Sequence, residues 1–354
     1  MINHTPSVLQ EFLIGSLVFC CNSSLFVTLL PERLMWIEEM GICNQTTVTQ
    51  FILIGLSDSP EVRYPLFVVF TIIYQVTLVG NGIILLAIGT EKKLHTPMYY
   101  FLANLSLLDI LCPSVTVPKM LENLLTEKHS ISYIGCALQL YFLVALVGTE
   151  VFLLSVMAYD RYVAICFPLR YTLIITKVRC VQLTAGTWVA GFLNSLLHTV
   201  STFRLSFCKS NQVNQYYCDI PPVVALSCSS TYVAEMLILV EAGILGSSAF
   251  LVIFISYFDI ISTILKIQSA EGKRKAFSTC ASHLLVVCLF GGTTIFTYVR
   301  PFSSQHSPAR DRLISMLYGI ITPMLNPMIY SMRNTEVKGA IRRLLYQKAC
   351  LQQV

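Results

Sequence analysis

Residues 157–166 read MAYDRYVAIC, and they close an apolar run that extends from Gly135 to Tyr159. This run is longer than the roughly 20 residues that a helix needs to cross a bilayer. Arg161 would lie where the helix leaves the hydrocarbon, a depth at which a guanidinium needs polar partners. Asp160 is the adjacent group that can neutralise it. The segment therefore predicts a membrane-spanning helix with a charged switch at one end.

The composition extends this prediction to the whole chain. Of 354 residues, 55% are hydrophobic and 12% are charged, with a net charge of +5. A soluble protein this apolar could not cover its surface with polar groups. Because backbone groups in lipid must be satisfied internally, the apolar runs predict an all-α integral membrane protein, a bundle of seven transmembrane helices. The runs are Pro65–Gly89, Met98–Met120, Gly135–Tyr159, Val181–Phe203, Ala234–Ile261, Ala276–Val299 and Leu313–Ser331.

The distribution of basic residues predicts the orientation. Most of the 24 Lys and Arg residues fall on the side of the first loop, Glu91–Thr96, which also holds the carboxyl terminus. The positive-inside rule places that side in the cytosol. We expect an extracellular segment 1–64, a membrane domain 65–331 and a cytoplasmic tail 332–354 with a short amphipathic helix. Of three sequons before the first span, that of Asn44 is the favoured glycosylation site.

Residues 1–39 do not fit this scheme easily. Phe12–Leu30 is apolar but interrupted, and no basic region precedes it, which argues against a signal peptide. The segment is an eighth helix, a signal anchor or an extension with no role. We interpret residues 1–39 as an atypical extension, and Met40 is a natural start for the remainder.

Four ordered blocks then narrow the class. Residues 97–109 read PMYYFLANLSLLD, residues 157–166 read MAYDRYVAIC, residues 275–284 read KAFSTCASHL and residues 323–330 read PMLNPMIY. Together they resemble the vertebrate olfactory receptors, within the rhodopsin-like G-protein-coupled receptors. The resemblance implies a plasma-membrane receptor that binds a small volatile odorant from outside. It also implies activation of a stimulatory olfactory-type G protein that raises cyclic AMP.

The resemblance assigns the G-protein-coupling residues. Asp160, Arg161 and Tyr162 would form the coupling end of the third helix. The base of the sixth helix is basic, so an acidic lock on Arg161 is not expected there. Tyr257 and His283 are the candidate polar partners of Arg161. Two further parts of the switch are expected in the seventh helix: a bend at Asn326 and Pro327, and Tyr330, which would swing inward on activation. A structural histidine without a switching role is the alternative for His283.

Two carboxylates lie inside the predicted spans. Asp109 and Glu150 are expensive to bury and are therefore expected to be functional. With Asn81, Ser106 and Asn326 they are candidates for a sodium site or a shared proton, and a purely structural polar network is the alternative. Neither another metal nor an organic cofactor is expected.

Four cysteines fall in the predicted extracellular regions, namely Cys136, Cys208, Cys218 and Cys228. Four cysteines allow three pairings, and spacing does not choose among them. The resemblance implies Cys136–Cys218 and Cys208–Cys228, which would hold the second outer loop over a ligand pocket.

Inward positions on four helices predict that pocket. They are Leu143, Val144, Val147, Gly148, Ile238, Glu241, Leu245, Cys288, Gly291, Thr294, Ile295, Tyr298, Met316 and Gly319. Most are apolar, which suits a ligand bound by desolvation and shape. Glu241 is either a polar anchor or a structural partner. Gly291 stands where the resemblance implies an aromatic residue, and its loss is expected to open space.

Other classes of membrane protein are disfavoured. The sequence contains no Gly-x-Gly-x-x-Gly, His-Glu-x-x-His or Gly-x-Ser-x-Gly motif, so an enzyme is not expected. A transporter would show repeated halves with matching broken helices, and the two halves of this sequence show no such similarity. A directly gated channel would not need the Asp160-Arg161-Tyr162 element. The expected partners are an odorant, a heterotrimeric G protein and the bilayer, and not nucleic acid.

Overall fold

The computed structural model of the protein describes residues 6, 9–11, 13–18, 48–56, 59–126, 129–208, 210–241, 243, 246–298, 308–333 and 335–351. Within these residues the membrane domain is built from α1 Pro60–Thr90, α2 Pro97–Leu125, α3 Tyr133–Cys166, α4 Lys177–Phe203, α5 in two segments (Tyr232–Glu241 and Ser247–Lys266), α6 Ala270–Tyr298 and α7. Helix α7 comprises three segments, namely Pro308–Met316, a π-helical stretch Leu317–Ile321, and Thr322–Arg333.

Six of the described helices are each long and apolar enough to cross a membrane: α1 to α4, the second segment of α5, and α6. The three segments of α7 supply the seventh crossing together, in the place where the sequence predicts it. The predicted all-α membrane bundle is confirmed. Its helices extend beyond the apolar runs, because a helix continues through the interface after its side chains leave the lipid.

Helix α3 forms the centre of the bundle. In α3, 78% of the most apolar stretch is buried, whereas the corresponding share is 22–56% in the other five membrane-spanning helices. Helix α4 approaches it at Gly191, where an added Cβ would lie 2.6 Å from the Ala145 carbonyl oxygen and 2.8 Å from the Thr149 nitrogen. Only glycine permits this backbone contact. It fixes α4 against the middle of α3.

A small sheet lies at the end of the bundle where α1 begins, and the sequence did not predict it. Strand β1 (Gln50–Leu53) pairs antiparallel with β2 (Ser130–Ser132) and parallel with β3 (Gln212–Val213). Phe51 is fully buried and packs against the rings of Tyr133 and Phe207. The sheet joins the segment before α1 to the start of α3 and to the loop between α4 and α5.

Helix α8 (Thr335–Leu351) follows α7 and has the amphipathic character expected from the sequence. Val337 and Ala340 are buried against the bundle. Arg343 forms a 2.7 Å salt bridge with Glu91 in the first loop, and Tyr99 donates a 3.0 Å hydrogen bond to Glu336. These contacts hold the helix against the same end of the bundle as the first loop.

Candidate functional site

A cavity of about 350 Å³ lies between α3, α4, α5 and α6. It is lined by Val144, Val147, Gly148, Val151, Phe152, Asn194, His198, Ile220, Ile238, Glu241, Gly243, Gly246, Ser247, Phe250, Gly291 and Thr294. Ile220 comes from the loop between α4 and α5, so this loop contributes to the outer wall. A mostly apolar cavity of this size fits a small organic molecule.

One polar contact crosses the cavity. His198 Nε2 of α4 is hydrogen-bonded to Glu241 Oε2 of α5. Within the described residues, His198 Nδ1 and Asn194 Oδ1 are buried and have no hydrogen-bond partner. A buried polar atom without a partner costs free energy. A ligand with one polar end would satisfy these atoms.

The structure places seven of the predicted pocket residues on this cavity: Val144, Val147, Gly148, Ile238, Glu241, Gly291 and Thr294. Leu143 instead packs in the apolar core, and Met316 and Gly319 do not line the cavity. Cys288, which was also predicted for the pocket, is exposed and does not line this cavity. Cys288 lies three residues before Gly291, so helical spacing alone would place both on one face, but α6 lines the cavity with Gly291 and Thr294 and not with Cys288.

Three predicted pocket positions lie outside the described parts of the structure: Leu245, and the side chains of Ile295 and Tyr298. The sequence-based assignment also missed the wall from α4. Asn194 and His198 are four residues apart in an apolar span, and a polar pair at that spacing shares one helix face. This spacing was the signal that could have revealed them.

Gly291 lines the cavity, but the space beside it is partly filled. The ring of Phe250, on α5, lies against this glycine, and an added Cβ there would be 2.7 Å from Phe250 Cζ. An aromatic ring therefore occupies part of the space that a larger side chain on α6 would take. The ring comes from a different helix.

The loop between α4 and α5 is held over the bundle by covalent and polar contacts. Disulfides join Cys136 to Cys218 and Cys208 to Cys228, with Cα–Cα distances of 5.5 and 5.8 Å. These are the pairings that the family resemblance implies. Tyr217 also hydrogen-bonds the Tyr318 hydroxyl of α7 at 2.6 Å. The loop is thereby fixed to both α3 and α7.

The buried carboxylates lie toward the middle of the bundle. Asn326 Nδ2 donates to both oxygens of Asp109, at 2.9 and 3.1 Å, and Glu150 is close enough to interact electrostatically with Asp109. Asn81 Nδ2 donates to a carbonyl of α7, and Ser106 is also buried. Within the described chain, Glu150 Oε1, Asn326 Oδ1 and Asn81 Oδ1 have no hydrogen-bond partner. The structure brings Asp109, Glu150 and Asn326 together, whereas Asn81 contacts the backbone of α7 instead.

The charged end of α3 differs from the expected geometry. Asp160 accepts a 2.8 Å hydrogen bond from Tyr171, in the turn that follows α3. Burial, together with the nearby Asp160 carboxylate, raises the pKa of Tyr171, so its hydroxyl stays protonated and donates. Among the described contacts, Arg161 has no hydrogen bond or salt bridge, but it is close enough to Asp160 to interact with that carboxylate electrostatically. Tyr162 is buried beside Phe167.

Tyr257 and His283 do not contact Arg161 as expected. They pair with each other instead, because the Tyr257 hydroxyl and His283 Nδ1 are 2.7 Å apart and the rings are stacked. This contact connects α5 to α6, and His283 is close enough to Arg161 to interact with it electrostatically. Both the switching role and the structural alternative for His283 stay predictions.

The bend in α7 was predicted at Asn326 and Pro327. Pro327 lies within the last segment of α7, and its ring is 3.3 Å from where a Cβ on Gly80 would be. The irregular backbone itself occurs earlier, at the π-helical stretch Leu317–Ile321. The side chain of Tyr330 and the whole of Asn44 lie outside the described residues.

These features define a seven-helix membrane receptor. Its cavity lies near the loop between α4 and α5, and the charged motif Asp160-Arg161-Tyr162 lies at the far end of α3. Sequence comparison makes the class specific. The profile of the family described as "Olfactory receptor" matches residues 70–348. Olfactory receptor 5B12 of Homo sapiens is 51% identical over 300 residues, which cover 85% of this chain and 95% of that protein. Olfactory receptor 8U9 of Mus musculus is 50% identical over 309 residues, 87% of this chain and 98% of that protein.

The chain belongs to the olfactory receptor family. It is a multi-pass plasma-membrane protein and not an enzyme, as the sequence predicted. This membership supports an odorant receptor function.

Proposed function

We propose that the chain binds a small volatile odorant in the cavity between α3 and α6 and activates a stimulatory olfactory-type G protein, raising cyclic AMP. The observation that carries the proposal is that one unbroken helix, α3, lines the cavity and ends at the charged motif. Val144 and Val147 border the cavity, and Asp160 and Arg161 lie four turns further along. A ligand that shifts α3 against α5 and α6 alters the cytosolic face.

The proposed orientation follows from the same geometry. Helix α8 and the loop Glu91–Thr96 lie at one end, where basic residues concentrate, and we place this end and the carboxyl terminus in the cytosol. The three-stranded sheet and the disulfide-held loop then face outward. Odorant enters from the side of the loop, and the G protein meets Arg161 from the other.

The direct test measures cyclic AMP in cells that carry the receptor and an olfactory-type G protein, against a broad odorant panel. Arg161→Ala is expected to abolish the odorant response at unchanged surface expression, because its charge is the proposed G-protein contact. Arg170→Ala removes an exposed charge from the adjacent turn and serves as the matched control. A full response from Arg161→Ala contradicts the assignment, and an odorant current without any G protein would support a channel.

Asp109 and Glu150 support a second part of the proposal, a bound Na⁺. Two carboxylates in a dry interior are not both stable as anions without a cation or a shared proton. The unpaired oxygens of Glu150, Asn326 and Asn81 are the hard ligands that Na⁺ takes. These side chains would hold the ion beside Asp109, where its charge would offset that of the carboxylates and stabilise the resting bundle.

Replacing extracellular and cytosolic Na⁺ with a large organic cation is expected to raise basal cyclic AMP in the parent receptor. Asp109→Asn is expected to remove this dependence. Glu122→Gln alters an exposed carboxylate at the outer end of α2 and should leave it intact. If signalling in the parent and in Asp109→Asn is equally indifferent to Na⁺, the polar network is structural.

A further inference from the structure

This chain is longer at its beginning than the relatives it matches. Those relatives are covered over 95–98% of their own length but align with only 85–87% of this chain. The family profile starts at residue 70 and runs to within a few residues of the carboxyl terminus. Most of the surplus therefore precedes α1, and family membership says nothing about its role.

Part of this surplus is a helix, Leu9–Val18, with one apolar face buried. Leu9, Leu13 and Leu17 are spaced four residues apart and are only 3%, 2% and 6% exposed. Ile14 and Val18, on the other face, are 42% and 50% exposed. Such a stripe belongs to a helix packed against a second apolar surface, with its outer face open to lipid.

The surface it packs against is α4. Leu17 Cδ1 is 3.2 Å from where a Cβ on Gly186 would lie, so glycine allows this approach. A second cavity separates the two helices in part, and its α4 wall is Arg179, Gln182, Leu183, Gly186 and Val189. These positions recur at helical spacing on one face of α4.

The contacts also fix the direction of the helix. The Pro6 carbonyl accepts a 3.1 Å hydrogen bond from Tyr159, the residue next to Asp160. Leu17, further along, meets Gly186 deeper in the membrane. The helix therefore runs parallel to α4, from the end that holds the charged motif toward the middle of the bilayer.

We propose that the chain begins in the cytosol and that its extension enters the membrane along α4 and emerges outside before β1, as an additional crossing. Pro6 lies at the end of the bundle that holds Asp160 and Arg161, whereas strand β1 pairs with the loop between α4 and α5 at the opposite end. The apolar run Phe12–Leu30 has 19 residues, close to the roughly 20 that a membrane crossing needs. This differs from the expectation that all residues before the first span are extracellular.

The topology is tested with an epitope tag before Met1 and antibody staining of cells. The full chain is expected to stain only after permeabilisation, and a chain that starts at Met40 with the same tag should stain on intact cells. The sequons give a second readout, because glycans are added only on the lumenal side. Asn44→Gln is expected to remove an endoglycosidase-sensitive shift, whereas Asn3→Gln should change nothing. Staining of the full chain on intact cells, a glycan on Asn3, or loss of the tag by cleavage would each overturn the proposal.

The packing on α4 is tested by disulfide trapping. In a background with Cys20, Cys21 and Cys180 replaced by Ser, Leu17→Cys and Gly186→Cys are combined, and a protease site is inserted between residues 31 and 47. After cleavage the fragments are expected to stay joined until reduced. Gly15→Cys with Gly186→Cys is the matched control, because Gly15 faces away and a Cβ there meets nothing within 4 Å. Equal trapping by both pairs would mean that the helix is not docked on this face.

Discussion

Glu241 is a charged residue in a cavity that is otherwise mostly apolar, and its partner is His198 on the neighbouring helix. A hydrogen bond to a charged group contributes about 1.5–3 kcal/mol when it is formed away from water. Glu241→Gln is therefore expected to reduce the potency of odorants that carry a hydrogen-bond donor by about tenfold or more, as measured in cyclic AMP dose–response curves. Hydrocarbon analogues of equal length should keep their potency.

Ile238→Val gives the matched control for this substitution, since Ile238 lines the same cavity one turn before Glu241. It alters volume without altering charge, so it should affect both ligand classes alike. If Glu241→Gln also shifts both classes equally, Glu241 has only a structural role with His198.

At the residue scale, the sequence predicted which residue types would be buried but not which of them would touch. Asp109 and Asn326 are more than 200 positions apart, and the family pattern still indicated their proximity. Asp160 was expected to pair with Arg161, but Tyr171 competes for it because the turn after α3 folds back on that carboxylate. Such a contact depends on the path of a loop, which apolar periodicity does not encode.

At the scale of elements, the contact between α5 and α6 depends on a glycine. Gly291 lies against the Phe250 ring, with 2.7 Å between Cζ and an added Cβ. Gly291→Tyr alone is expected to force these helices apart, at a cost of about 1–3 kcal/mol for overpacking. Surface expression and thermal stability in detergent should both fall. The double variant Phe250→Ala, Gly291→Tyr should recover most of this stability, because the ring is then supplied from α6.

Gly292→Tyr is the appropriate control, since a Cβ at Gly292 meets nothing within 4 Å. It introduces the same side chain on the adjacent, exposed position. If Gly291→Tyr were no worse than Gly292→Tyr, the Phe250 ring would not fill this space in the folded receptor.

The helices themselves were the most predictable elements. Runs of about 20 apolar residues can only be helices in lipid, so their order and number followed from composition. The small sheet was missed, because β1, β2 and β3 are two to four residues long and carry little pattern. The π-helical stretch in α7 was also missed, since its sequence is as apolar as a regular helix.

For the whole molecule, the extension and the charged motif meet at Tyr159. Its hydroxyl donates to the Pro6 carbonyl at 3.1 Å and lies 3.5 Å from Gln10 Oε1. Tyr159 is buried on α3 directly before Asp160 and Arg161. A docked extension therefore restrains the end of α3 that the G protein is proposed to read.

Removing residues 1–39 is expected to raise basal cyclic AMP, because one hydrogen bond of about 0.5–1.5 kcal/mol no longer favours the resting position of α3. That energy corresponds to a change of about two- to tenfold. Tyr159→Phe should raise basal cyclic AMP similarly in the full chain, yet have no effect in the chain that starts at Met40, because the Pro6 acceptor is absent there. Basal cyclic AMP is measured at matched surface expression for all four receptors. Additive effects of truncation and Tyr159→Phe would show that Tyr159 acts independently of the extension.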